Sequence, residues 1–109
     1  MLLINIDKTA RPPQQAEMEA ILHGHARLEA ELAGKMVHTE RLRSDAEASL
    51  VRLSAGQPLV TDGPFAETKE VLGGFYVIEC DTKSEAIEWA KKIPLREDRT
   101  IEVRPVWPR

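Results

Sequence analysis

Residues Leu72–Cys80 read LGGFYVIEC, and this stretch decides the fold. In an extended strand, Phe75 and Val77 point one way while Tyr76, Ile78 and Cys80 point the other. Both faces are apolar, so both need a cover. Upstream, Leu2, Ile4 and Ile6 alternate with Leu3, Asn5 and Asp7, the pattern of another strand. Downstream, Thr82 and Glu85 form a capping-box pattern. They open a helix with Ile87, Ala90 and Ile93 inward, stopped by Pro94. Residues 94–99 then read as a charged loop, and Thr100–Val106 as a closing strand with Ile101 and Val103 on one face.

Between the first strand and Leu72 the chain is punctuated by its breakers. Arg11-Pro12-Pro13 ends the first strand, and the proline pair suits a helix start. A helix is expected from about Pro13 to Leu32, with Met18, Ile21, Leu22, Leu28 and Leu32 on one face and Gly34 after its end. Met36–Leu42 and Ala48–Leu53 have strand character. Ser54-Ala55-Gly56-Gln57 reads as a hairpin loop leading into a short strand, Pro58–Thr61. Asp62-Gly63 is followed at once by Pro64, which cannot donate to a ladder, so residues 62–71 are expected as a longer loop.

The order is strand, helix, several antiparallel strands, helix, strand. That order implies an α+β fold: a ferredoxin-like split-βαβ antiparallel sheet with an extra hairpin, in one domain spanning 1–109. Two helices cover only one face of such a sheet. A second sheet packed across a two-fold axis would cover the other, so a homodimer of sheet-on-sheet type is expected.

Composition narrows the function classes. The chain has 109 residues, 15 basic and 18 acidic, for a net charge of -3. There is no basic block, so nucleic-acid binding is not expected. No stretch approaches the roughly 20 apolar residues of a membrane span, so no membrane association is expected. The N-terminal MLLINIDKTA lacks a basic n-region and has too short an apolar run for a signal peptide. The sole cysteine, Cys80, cannot staple the fold, which fits a reducing, cytoplasmic setting.

His25 is the most informative single residue. At ~100° per residue it falls inside the apolar arc of the first helix, where a leucine would be expected, while His23 faces the opposite way. Glu29, one turn on, could pair with it. The plain reading is a buried histidine satisfied by Glu29 or a backbone carbonyl. The functional reading is a general acid or base, since a free imidazole titrates near neutrality. Asp62 is the second candidate, either an Asx-type turn residue or a carboxylate that orients His25. Gly73-Gly74 would admit a close-lying ligand or mark a β-bulge. Phe65, Lys69 and Arg104 are candidate substrate contacts on the same loop and on the last strand. His38 is expected to be structural or exposed. The three histidines do not fall at metal-ligand spacings, so no protein-built metal site is expected, and no P-loop, nucleophile elbow or dinucleotide fingerprint is present.

VTDGPFAETKE over 60–70, followed by LGGFY over 72–76, closely resembles the signature of the YCII-related family in its DGPF-domain branch. AIEWA over 86–90 and IEVRPVW over 101–107 look like that family's second helix and closing strand, so the likeness covers nearly the whole chain. The resemblance implies a ferredoxin-like domain that pairs into a dimeric α/β barrel. It also implies a His–Asp pair in a pocket, which on this chain would be His25 and Asp62. A few relatives are similar to dehalogenating or hydrolytic enzymes for small aromatic compounds, and some are associated with sigma factors of the extracytoplasmic-function kind.

Two functions from different classes are therefore in view. One is a small cofactor-free hydrolase or lyase, with a small-molecule substrate between the first helix and the DGPF loop. There His25 would move a proton, Asp62 would fix its tautomer, Phe65 would wall the pocket, and Lys69 or Arg104 would neutralise a substrate anion. The other is a non-catalytic small-ligand-binding or regulatory module using the same pocket. A cofactor-free oxygenase rests on fold analogy alone.

Overall fold

The computed structural model describes residues 1–108 and has the element order expected of an α+β chain. Strand β1 (Leu2–Asp7) is followed by helix α1 (Gln15–Glu31), β2 (Met36–Arg41), a short 3-10 turn (Asp45–Glu47), β3 (Ser49–Ser54), β4 (Gln57–Asp62), β5 (Glu70–Ile78), α2 (Lys83–Ala90) and β6 (Arg99–Val103). Helix α1 begins just after Pro12-Pro13, where the Glu17 carboxylate accepts from the Gln14 amide at 3.3 Å. Past its end, Gly34 takes a positive φ of 94° that a side chain would resist. Helix α2 is capped as expected, the Thr82 hydroxyl accepting from the Glu85 amide at 3.1 Å.

Four strands form one antiparallel sheet in the order β2-β5-β1-β6, while β3 and β4 form a separate two-stranded ribbon. This architecture, two helices with antiparallel sheets, is compatible with a ferredoxin-like fold carrying an inserted hairpin. Cross-strand register sets the face that meets α1. One row across the sheet is Val103–Leu2–Tyr76–Thr39, the next is Ile101–Ile4–Gly74–Arg41, and Arg99–Ile6–Val71 follows. The register slips by one between Ile4↔Gly74 and Asn5↔Leu72, which makes Gly73 the extra residue of a β-bulge. Of the two readings of the glycine pair, the bulge is present.

The core lies between this face and the helices: Leu2, Ile4, Leu28, Leu32, Tyr76, Ala90 and Ile93. Within the expected helical faces, Leu22 and Ile87 stay exposed instead of buried. The opposite face carries Leu3, Phe75 and Val77, all only half-buried, and among the described residues neither helix packs on it; the molecule measures 18 Å along its shortest axis. The ribbon is exposed along its whole length, with Val51, Val60 and Leu53 sharing one side. No described helix is long and apolar enough to cross a membrane.

Candidate functional site

Where α1 crosses the sheet it leaves a cavity of about 610 Å³. Its apolar wall is built by Ile4, Ile6, Ile21 and Leu22. His25 enters from α1, Tyr76 and Gly74 from β5, Arg41 from β2, and Arg99 from the start of β6.

His25 stands on the α1 face that also buries Ile21 and Leu28, and it is half-buried. Its Nδ1 lies 2.6 Å from the Tyr76 hydroxyl, and the two rings are nearly parallel, 15° apart. The partner expected from the sequence, Glu29, lines the same cavity but does not bond the imidazole. Tyr76 reaches it instead because the sheet row places the phenol directly beneath the helix. Burial first, then the positive fields of Arg99 and Arg41, push the His25 pKa below its ordinary value. Burial and the Glu29 charge raise that of Tyr76 to about 12. At neutral pH the pair is thus an uncharged imidazole and an intact phenol sharing one hydrogen bond. With the phenol donating to Nδ1, Nε2 carries the ring proton and is a donor; with Nδ1–H donating to the phenol oxygen, Nε2 is a free base.

Asp62 is not on this cavity wall. It ends β4 opposite Ser49, whose hydroxyl donates to its carboxylate at 2.6 Å. Within the chain, then, the structure does not bring His25 and Asp62 together. The rest of the Asp62–Phe65 turn is equally occupied. The Gly63 amide donates to the Ala48 carbonyl at 2.8 Å, and a Cβ on Gly63 would drive into the Asp45 carbonyl oxygen. The Phe65 amide donates to Asp45 Oδ2 at 3.3 Å, and Lys8 Nζ donates to the Phe65 carbonyl and, at 2.9 Å, to Asp45. The Lys8 ammonium holds the Asp45 carboxyl below its usual range.

Of the three expected substrate contacts, Phe65 lines a more open neighbouring depression that shares Asp45, Val71 and Leu72 with the cavity, but does not line the cavity itself. Lys69 offers its backbone carbonyl to the Lys8 amide, and Arg104 pairs with Glu102 on the surface. Neither side chain lines the cavity. Four cations do line it: Lys8 is paired with Asp45 and Arg43 with Glu47, while Arg99 and Arg41, which hold no carboxylate that closely, are not singled out by the sequence. Their only signal is register, which puts both on the α1 face of the sheet. His38 is exposed, the second of the two expectations for it, and lies 3.3 Å from Glu40. Among the described residues no three His, Cys, Asp or Glu side chains cluster as a metal site would require.

Compared with known families, the chain matches the YCII-related domain over residues 1–109. It is also similar to an uncharacterized protein of Rhizobium meliloti (strain 1021), 45% identical over 76 residues, which are 68% of this chain and 61% of that relative. The match thus spans about three fifths of the relative's length.

Proposed function

We propose that this chain, which belongs to the YCII-related domain family, binds a small molecule in the cavity between α1 and the sheet and exchanges a proton with it through His25. The observation that carries this reading is the 2.6 Å contact between His25 Nδ1 and the Tyr76 hydroxyl on the cavity wall. A hydrogen-bonded phenol orients the imidazole, as a carboxylate does in other acid–base sites, while burial keeps it neutral and able to accept a proton. The reaction class is hydrolytic or eliminative, and no cofactor is required for such a proton transfer.

A second reading, a ligand-binding or regulatory module without turnover, is favoured by one observation: the Asp62 carboxylate, which would complete a His–Asp pair, accepts from Ser49 instead. The motif Asp62-Gly63-Pro64-Phe65 supports placing the chain in the DGPF branch, and the lone Cys80 supports a cytoplasmic setting. The open face of the sheet and the apolar ribbon support a homodimer closing into an α/β barrel.

The test is a fragment screen read by protein NMR, followed by product analysis. Small aromatic and carbonyl compounds should shift the amides of Ile4, Leu22, His25 and Tyr76 together. Turnover of a bound compound that is lost in His25→Gln and Tyr76→Phe establishes the enzyme. Binding that leaves every compound unchanged points to the module. Shifts gathered away from these residues would remove the cavity from consideration.

A further inference from the structure

Arg99 opens β6 beside Ile6, on the cavity side of the sheet. Its side chain is only 9% exposed, yet its Nε has no hydrogen-bond partner, and no described residue accepts from the rest of the guanidinium. The nearest carboxylate oxygen, Asp98 Oδ1, is 4.0 Å from that Nε and is shared with Arg96 at 3.5 Å. It forms no hydrogen bond with either, and Arg96 also leaves Nη1 buried and unpartnered. One carboxylate thus stands between two guanidinium groups. Arg41 stands on the cavity wall with Arg99, and its contact there is the Met18 sulfur at 4.0 Å.

Buried guanidinium groups are retained when an acceptor answers them. Of the other carboxylates on the wall, Asp45 takes Lys8, Asp7 takes Thr9 and Glu40 takes His38, while Glu29 acts on Tyr76. Burial first, then the Arg96 and Arg41 charges, press the Arg99 pKa downward against the opposing pull of Asp98, and an incoming anion would add to that pull.

From this we infer that the cavity takes a small organic acid, its carboxylate held by Arg99 and Arg41 and its apolar body against Ile4, Ile21 and Leu22. The guanidinium fork matches a planar carboxylate through paired N–H bonds, and Ile4, Ile21 and Leu22 give the ligand's body an apolar surface in the same cavity. The inference rests on the cavity being the ligand site and adds the chemical class that it accepts.

Benzoate and its neutral counterpart benzamide are the probes, read on the His25 ring and the cavity amides by NMR. Benzoate should bind at least about tenfold more tightly than benzamide, consistent with charged hydrogen bonds. It should also raise the His25 pKa by offsetting the two arginine fields. Arg99→Gln should weaken benzoate about tenfold or more and leave benzamide unchanged. Arg41→Gln, at an exposed position, should weaken benzoate in the same direction and keeps the test open if Arg99→Gln does not fold. Equal binding of both probes at the cavity, indifferent to either variant, would overturn the acid while leaving the cavity reading intact. Failure of both probes to move any cavity residue would overturn both.

Discussion

The Asp62–Phe65 turn and the His25–Tyr76 wall of the cavity are opposite in condition. In the turn, polar groups are consumed locally: Asp62 by Ser49, the Gly63 amide by Ala48, and both the amide and the carbonyl of Phe65 by Asp45 and Lys8. In the cavity, a half-buried imidazole is held at one nitrogen, and a buried guanidinium lacks a partner at Nε. Satisfied groups hold a shape, whereas unsatisfied buried ones are available to a ligand. The longest recognisable motif of the sequence therefore marks a place where the backbone is held by its own neighbours. The groups with chemistry to offer come from four separate elements and share no contiguous motif.

The comparison breaks first, and with the largest effect, at Gly63. An added methyl would meet the Asp45 carbonyl oxygen, which the 3-10 turn holds in place. Gly63→Ala should cost about 3 kcal/mol or more in urea-induced unfolding, with cavity ligands still binding to the folded fraction. A loss below about 1 kcal/mol would mean that the turn can slide off the 3-10 segment and is not fixed by it.

A smaller effect is expected at the cavity. Tyr76→Phe removes the partner of His25 Nδ1 and should cost about 1–2 kcal/mol, less than Gly63→Ala. Protonation separates the regions further. Because the His25 pKa is depressed in the folded chain, the unfolded chain takes up the proton first as pH falls below about 6.5. The stabilising contribution of neutral His25 is present above that value and is lost as pH falls toward its folded pKa. His25→Gln should therefore flatten the decline in stability between neutral and mildly acid pH. An unchanged slope in unfolding experiments would show that His25 is not the titrating group.

How much of this was legible follows from the range of each interaction. Strands β1 and β5 and both helices follow from alternation and helical spacing, and the position of His25 on an apolar helical face was readable from spacing alone. Three residues carry no periodicity, so the 3-10 turn at Asp45–Glu47 was not expected. β5 starts at Glu70 and not Leu72, because its first residues pair with Ile6 and Asp7, which local composition does not encode. The partner of His25 lies 51 residues away, and Arg99 looks like any surface arginine until β6 is paired with β1. Short-range rules found the histidine; only the sheet register supplies what surrounds it.

The smallest effect gives the sharpest comparison of the two regions. Asp62→Asn keeps the size of the side chain and removes the charge at an exposed site bonded to Ser49. Its cost in stability should stay below about 1 kcal/mol. If the turn and the cavity are independent, the NMR titration of the His25 ring should be the same in Asp62→Asn and in the wild type, whereas Arg41→Gln should raise it. A fall in the His25 pKa on losing the Asp62 charge would mean that the carboxylate reaches the imidazole after all. Since the chain holds Asp62 on a separate, exposed ribbon and bonded to Ser49, that carboxylate would then have to come from a second copy. Repeating the titration at falling protein concentration would separate the cases, because a contribution across an interface fades on dilution and one within the chain does not.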